Sequence, residues 1–279
     1  MKVLVTGGAG RLARAVVTEF ATRGVRAISL TRQQLDIVSE AAVAEALREY
    51  RPRVVVNCAA YTDVDGAEED PRRAFLVNAL AVKQLAALCR LEGIKLVHVS
   101  TDYIFDGTKG EPYRVYDPPG PVNRYGESKW WGEAALREVG GDYLVVRISW
   151  LFGPGGRHFV NTVLKEAEAG KAMKVVDDQY GCPTYAPDAA RAIADLIAAG
   201  AQGTFHATNA GETTWYRFAR AVLEFSGLDA RLEPCATEDF PRPARRPQYT
   251  VLDDFPLKEV IGYRLPPWED ALRRYLAER

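Results

Sequence analysis

Three side chains in this sequence have the chemistry to act together on one carbonyl group: Thr101, Tyr125 and Lys129. Thr101 follows Ser100 at the end of an apolar run, Ile94 to Val99, that reads as a buried strand. Tyr125 and Lys129 stand four apart in Tyr125-Gly126-Glu127-Ser128-Lys129, a helical pattern, and so share one helix face. A free phenol has a pKa of roughly 10 and exchanges protons poorly at neutral pH. A neighbouring ammonium favours the phenolate, so Lys129 is expected to pull the Tyr125 pKa down towards the working range. Thr101 needs only its hydroxyl, to hydrogen-bond the substrate oxygen and fix the carbonyl against the phenol. Tyr-x-x-x-Lys arises often by chance on exposed helices. The pair gains meaning from the elements around it.

Those elements begin with a short apolar strand, Lys2 to Val5, broken by Thr6-Gly7-Gly8-Ala9-Gly10-Arg11-Leu12-Ala13 and followed by an amphipathic run to Thr22. Strand, glycine turn and helix in this order form the context of a dinucleotide site, with a pyrophosphate at the helix N-terminus. Gly7 and Gly10 are expected to let the backbone approach it, with Arg11 and Leu12 beside them; Ala13 is small enough for helix to pack on strand. The second strand, Val25 to Leu30, ends in Thr31-Arg32 with no carboxylate to select the unphosphorylated ribose. Thr31 and Arg32 suit a 2′-phosphate, which favours NADPH with NADH still open; Arg32 equally suits a plain solvated loop. Asp36-Ile37 follows, where an acid can accept from the adenine amino group. Ala59, Ala60 and Tyr61 leave the third strand, Arg53 to Asn57, and their small size suits a ribose or simple close packing.

Strands alternating with helices predict an α/β fold, a doubly wound parallel sheet of Rossmann type with a smaller α/β substrate-binding domain. The expected division is 1–150 for the dinucleotide, with 187–207 returning to it, and 151–186 with 208–279 for the substrate. The fifth strand, Tyr143 to Ile148, leaves at Trp150, so Thr101 and Trp150 should line one crevice. A long loop from Asp106 to Asn123 reads as a lid or cleft wall. Asn78, on the helical stretch Pro71 to Glu92, is either a buried brace or solvent-facing. Arg157, His158, Asn161 and the Arg245-Arg246 pair are candidates to meet a diphosphate.

With 47% hydrophobic and 26% charged residues, the composition is that of an ordinary globular enzyme. The formal net charge of -1 argues against a nucleic-acid surface or a polybasic membrane anchor. No apolar run is expected to cross a bilayer, and Met1-Lys2 leads straight into a strand, so a cytoplasmic protein is expected. Four scattered cysteines read as reduced packing thiols, and three scattered histidines argue against a structural zinc site. No metal ligand set is expected. A homodimer is compatible with the sequence, though no segment specifies one.

Thr6 to Ala13, Ser100 to Gly107 and Tyr125 to Glu133 together resemble the extended short-chain dehydrogenase/reductases. More narrowly, Ser100-Thr101-Asp102-Tyr103-Ile104-Phe105-Asp106-Gly107, Tyr125-Gly126-Glu127-Ser128-Lys129 with Gly132-Glu133, and Arg147 to Gly153 resemble the dTDP-4-dehydrorhamnose reductase family. Ala59 to Asp65 and Asp178 to Thr184 fit the same family, so the resemblance covers nearly the whole chain. It implies reduction of the 4-keto group of dTDP-4-dehydro-L-rhamnose by NADPH or NADH. By position it implies Tyr125 as proton donor, Lys129 as its partner, Thr101 as hydrogen bonder of the substrate oxygen, and Asp102 and Trp150 as substrate contacts. The chain departs from the pattern at Ala13, in place of a third glycine, at Thr31, where an acid is missing, and at Thr250, where serine is frequent. A sugar-nucleotide dehydratase of the same scaffold would carry Asp-Glu after the threonine; here Asp102 is followed by Tyr103. An epimerase, and the non-catalytic regulatory subunit of methionine adenosyltransferase, share the scaffold and stand as alternatives.

Overall fold

The computed structural model describes all 279 residues. Six parallel strands form the central sheet: β1 (Lys2–Thr6), β2 (Arg26–Leu30), β3 (Val54–Asn57), β4 (Lys95–Thr101), β5 (Tyr143–Ile148) and β6 (Gly203–His206). Their spatial order is β6-β5-β4-β3-β1-β2. The central strands are continuous apolar runs: Val3, Leu4, Val54 to Val56 and Leu144 to Val146 are all buried. Such runs follow from a parallel sheet covered on both faces. Helices α1 (Arg11–Thr22), α2 (Glu40–Tyr50), α3 (Pro71–Leu91), α4 (Arg124–Val139), α5 (Phe159–Glu168), α6 (Ala186–Ala198), α7 (Trp215–Ser226) and α8 (Trp268–Ala277) complete the main elements.

One face of the sheet is covered by α1 and α6, where Val16 and Phe20 meet Ile193 and Leu196. The other is covered by α2, α3 and α4 through Leu47, Leu85, Cys89 and Leu136. A separate apolar cluster joins α5, α7 and α8 around Phe152, Phe218 and Trp268. The strand order reverses at β1, flanked by β2 and β3, and a doubly wound sheet opens its crevice at the carboxyl ends there.

Two expectations are corrected. Pro71–Leu91 is a 21-residue helical run that is long and apolar enough to span a bilayer by length and composition. Its buried residues, among them Ala74, Val82 and Leu85, pack in the interior against the sheet and α4. The helix also widens into one π turn over Leu76–Leu80, which periodicity did not reveal. The loop from Asp106 to Asn123 is neither lid nor cleft wall. Tyr113 is buried, stacks on Phe105 at 4.2 Å, and its phenol oxygen takes N–H groups of Gly107, Thr108 and Lys109. The loop is a packed buttress behind Ser100 to Phe105, and none of its residues line the two cavities described below.

Candidate active site

A cavity of about 430 Å³ opens at the carboxyl edge of the sheet. The first turn of α1 (Gly10, Arg11, Leu12) and Ala60 line one part of it. Thr101, Asp102, Tyr125, Lys129 and Trp150 line the same cavity. Residues separated by more than a hundred positions therefore converge where the sheet topology places a ligand.

The glycine turn divides its labour differently from expectation. Gly7 has φ +68°, and a β-carbon there would lie 2.8 Å from the Ala59 nitrogen. Glycine at 7 is required by close packing of the turn on the end of β3, and Gly7 does not line the cavity. Gly10 does, and as N-cap of α1 it makes no side-chain cap, so the first-turn N–H groups remain available to an anion. Arg11 also lines the cavity, yet its guanidinium donates to the carbonyls of Leu151, Gly153, Gly155 and Arg157. It ties α1 to the segment leaving β5.

Thr31, Arg32, Asp36 and Ile37 lie outside this cavity. Thr31 donates to Gln34 at 3.0 Å, exposed Arg32 faces Asp36 at 3.8 Å, and Ile37 is buried. Asp36 accepts from the Val38 N–H at 3.1 Å. Ala59 donates its N–H to Thr6 Oγ1, and Tyr61 exchanges both backbone hydrogen bonds with Asn78, at 2.9 and 3.0 Å. Asn78 is thus the buried brace, and it also donates to Ser128 Oγ on α4 at 2.9 Å.

Deeper in the cavity, Thr101 Oγ1 donates to Asp102 Oδ1 at 3.0 Å, and Thr250 Oγ1 donates to Asp102 Oδ2 at 2.6 Å. Burial lifts the Asp102 carboxyl to about 6 against the pull of those two hydroxyls. Tyr125 is half-buried, edge-on to Tyr103 at 5.8 Å. Burial pushes its phenol up to about 12, opposed by the Thr101 hydroxyl. The expected downward pull from Lys129 is therefore corrected. Lys129 Nζ donates to the Val99 carbonyl at 2.6 Å and faces His98 Nε2 at 3.4 Å, and burial lowers it to about 8. Held against the strand and itself desolvated, the ammonium does not offset the cost of burying a phenolate, and Tyr125 stays a protonated phenol.

Trp150 adopts φ +45°, rare for a bulky residue, and stacks on Trp215 with centroids 3.6 Å apart and planes at 10°. Trp215 went unnoticed in the sequence because it reads as an ordinary first residue of α7. It also lines a second cavity of about 450 Å³, together with Tyr103, Lys174, Arg242, Arg245 and Arg246. Arg246 is held bidentately by Asp65 at 2.7 and 2.9 Å, while Arg245 is exposed. Of the other anion candidates, Arg157 lines the first cavity. His158 and Asn161 do not: both are engaged, at 3.2 and 2.6 Å, by the hydroxyl of Tyr275, a member of the cluster that joins α5, α7 and α8.

A doubly wound sheet with an N-terminal glycine turn, and a Thr, Tyr and Lys at one crevice, defines an extended short-chain dehydrogenase/reductase. A family model described as the RmlD substrate binding domain matches residues 1–279. The dTDP-4-dehydrorhamnose reductase of Burkholderia thailandensis is 42% identical over 289 residues, covering 98% of this chain and 97% of that protein. The dTDP-4-keto-6-deoxy-D-glucose reductase of Streptomyces niveus is 38% identical, covering 96% and 94%. The crystal structure of dTDP-4-dehydrorhamnose reductase from Bacillus anthracis in complex with NADP superposes with a TM-score of 0.96 at 34% identity, covering 100% and 99% of the two chains. The chain belongs to the dTDP-4-dehydrorhamnose reductase family.

Proposed function

We propose that this protein reduces the 4-keto group of dTDP-4-dehydro-L-rhamnose to dTDP-L-rhamnose, using NADPH. The observation that carries this reading is the single cavity shared by Thr101, Tyr125, Lys129 and the uncapped first turn of α1. The free N–H groups of that turn fit the dinucleotide pyrophosphate, and the absence of an acid at Thr31 fits a phosphorylated ribose. The NADP complex of the Bacillus anthracis relative supports the same cofactor. The cofactor, when bound, supplies the hydride.

The chain's own residues supply position and one proton. Tyr125, kept protonated by burial, gives its phenolic proton to the alkoxide oxygen as it forms. Thr101 donates to the same oxygen by turning its hydroxyl from Asp102 towards the cavity. Asp102 keeps the hydrogen bond from Thr250 while Thr101 turns, so the buried carboxylate is not left bare. Trp150, stacked on Trp215, offers a flat apolar wall for the sugar ring. The four cations of the second cavity, Lys174, Arg242, Arg245 and Arg246, suit the diphosphate of the nucleotide. On this reading 151–186 and 208–279 serve the sugar nucleotide, and the sheet with 187–207 serves the cofactor.

Tyr125→Phe removes the proton and keeps the ring. Turnover of NADPH with dTDP-4-dehydro-L-rhamnose is expected to fall roughly 10²- to 10⁴-fold, with the NADPH dissociation constant unchanged. Undiminished turnover sinks the mechanism. Oxidation of one NADPH per sugar reduced also separates a reductase from an epimerase that keeps its nicotinamide through turnover.

A further inference from the structure

A line of polar side chains crosses the middle of the sheet directly behind Lys129, where the strands otherwise bury valine and leucine. Thr6, Asn57 and His98 are in register on β1, β3 and β4, and each is 0% exposed. Their side chains form one hydrogen-bonded line. The Ala59 N–H donates to Thr6 Oγ1 at 3.4 Å, and the Thr6 hydroxyl donates to Asn57 Oδ1, 2.6 Å away. In this amide orientation Asn57 Nδ2 donates to His98 Nδ1 at 3.2 Å. With Nδ1 accepting, a neutral imidazole carries its hydrogen on Nε2. Nε2 stands 3.4 Å from Lys129 Nζ. Burial, reinforced by the Lys129 charge, keeps the ring neutral.

We propose that His98 is a positioning residue for Lys129, set against it as donor against donor by the Thr6-Asn57 relay. An ammonium has three donors and no acceptor, so it gains nothing from His98 and leans on the Val99 carbonyl. The neutral amine has a lone pair that accepts the His98 N–H. The relay therefore favours release of the Lys129 proton and adds to the effect of burial, which lowers Lys129 to about 8. Glu133, one turn further along α4, favours the ammonium, but its charge is engaged by Arg147 and Arg137. Cys58 faces Lys129 from the end of β3 as a neutral thiol pushed up to about 12 by burial, and Tyr125 lies one turn back along α4 as a neutral phenol.

The kinetic consequence rests on the reading of Lys129 as the partner of Tyr125. His98→Asn keeps an acceptor for Asn57 and removes the N–H that faces Lys129, whereas His98→Gln returns an N–H near the Nε2 position. The basic limb of the kcat/KM profile for NADPH-dependent keto-sugar reduction is expected to move up by about one pH unit in His98→Asn. In His98→Gln it should stay at the wild-type position. An unmoved limb in His98→Asn, or an equal displacement in His98→Gln, overturns the proposal. A second readout needs neither turnover nor a variant that folds: nitrogen-15 spectra of the wild-type protein with its three histidines. A His98 ring protonated on Nε2 supports the relay, and one protonated on Nδ1 overturns it. An enzyme inactive on the sugar nucleotide but with the Nε2–H ring would instead refute the proposed substrate alone.

Discussion

At the scale of single residues, Asp102 is where burial and chemistry conflict. Its side chain is 2% exposed and its carboxyl titrates near 6, above the usual 3.8, because burial outweighs the hydroxyls of Thr250 and Thr101. A raised folded pKa means that the unfolded chain releases this proton first as pH rises. The cost of ionising Asp102 inside the fold is therefore absent below 3.8, grows between 3.8 and 6, and is complete above. Asp102→Asn should be more stabilising, relative to wild type, at pH 7.5 than at pH 4.5, by roughly 1–3 kcal/mol. Urea unfolding at the two pH values checks this; a difference that shrinks with rising pH refutes it. The convergence of Thr101, Tyr125 and Lys129 on one cavity was legible in the sequence because a phenol and an amine one helical turn apart, after a strand-end hydroxyl, form a local pattern. The partners of Lys129 were not, since the Val99 carbonyl and His98 come from a strand whose register no local pattern states.

At the scale of elements, α4 carries both Tyr125 and Lys129, and its placement is fixed at both ends. Asn123 caps it by accepting the Gly126 N–H at 2.8 Å, and Asn78 reaches it through Ser128. Further along, Glu133 is buried against Arg147, with two hydrogen bonds of 3.0 and 2.8 Å, and Arg137 adds a third at 2.7 Å. Burial alone would raise the Glu133 carboxyl, but the Arg147 and Arg137 guanidinium groups outweigh it and hold it at about 2. Removing Arg147 leaves the buried Glu133 carboxylate with Arg137 as its one remaining cation, so Arg147→Met should cost about 3 kcal/mol of stability. The double variant Arg147→Met with Glu133→Leu should recover much of that loss, because neither charge is then desolvated. Equilibrium unfolding of the two variants decides it, and equal losses in both would refute the argument. The strands and most helices were legible from periodicity and from stops such as Gly24 and Gly140. The π turn around Asn78 was not, because the partners that Asn78 meets there, Tyr61 and Ser128, lie on other elements and leave no mark on the periodicity of its own helix.

At the scale of the whole molecule, the two cavities receive their walls from different parts of the chain. The first is built on the carboxyl ends of the sheet and on α1, and the second largely on the segment from Phe159 to Arg246. The alternation of strands and helices made the sheet legible, whereas the second cavity was not. Of its cations, only the Arg245-Arg246 pair stood out in the sequence as suited to a diphosphate; Lys174, on a strand far from that pair, and Arg242 each read as simply solvated. The Trp150–Trp215 stack joins the two cavities, since Trp150 lines the first and Trp215 the second. On the proposed reading, a sugar nucleotide with its sugar at Trp150 has its diphosphate among those cations. Arg245 is the informative one to remove. It is exposed, so its loss leaves the core intact, whereas Arg246 is tied to Asp65 and would loosen the wall as well. Arg245→Ala should raise KM for the dTDP-linked keto-sugar roughly tenfold, the equivalent of one lost charge-assisted contact, with kcat and the NADPH dissociation constant unchanged. Steady-state kinetics together with fluorescence titration of NADPH measure the three quantities. A variant that weakens NADPH as much as the sugar nucleotide would show that the second cavity does not belong to the substrate alone.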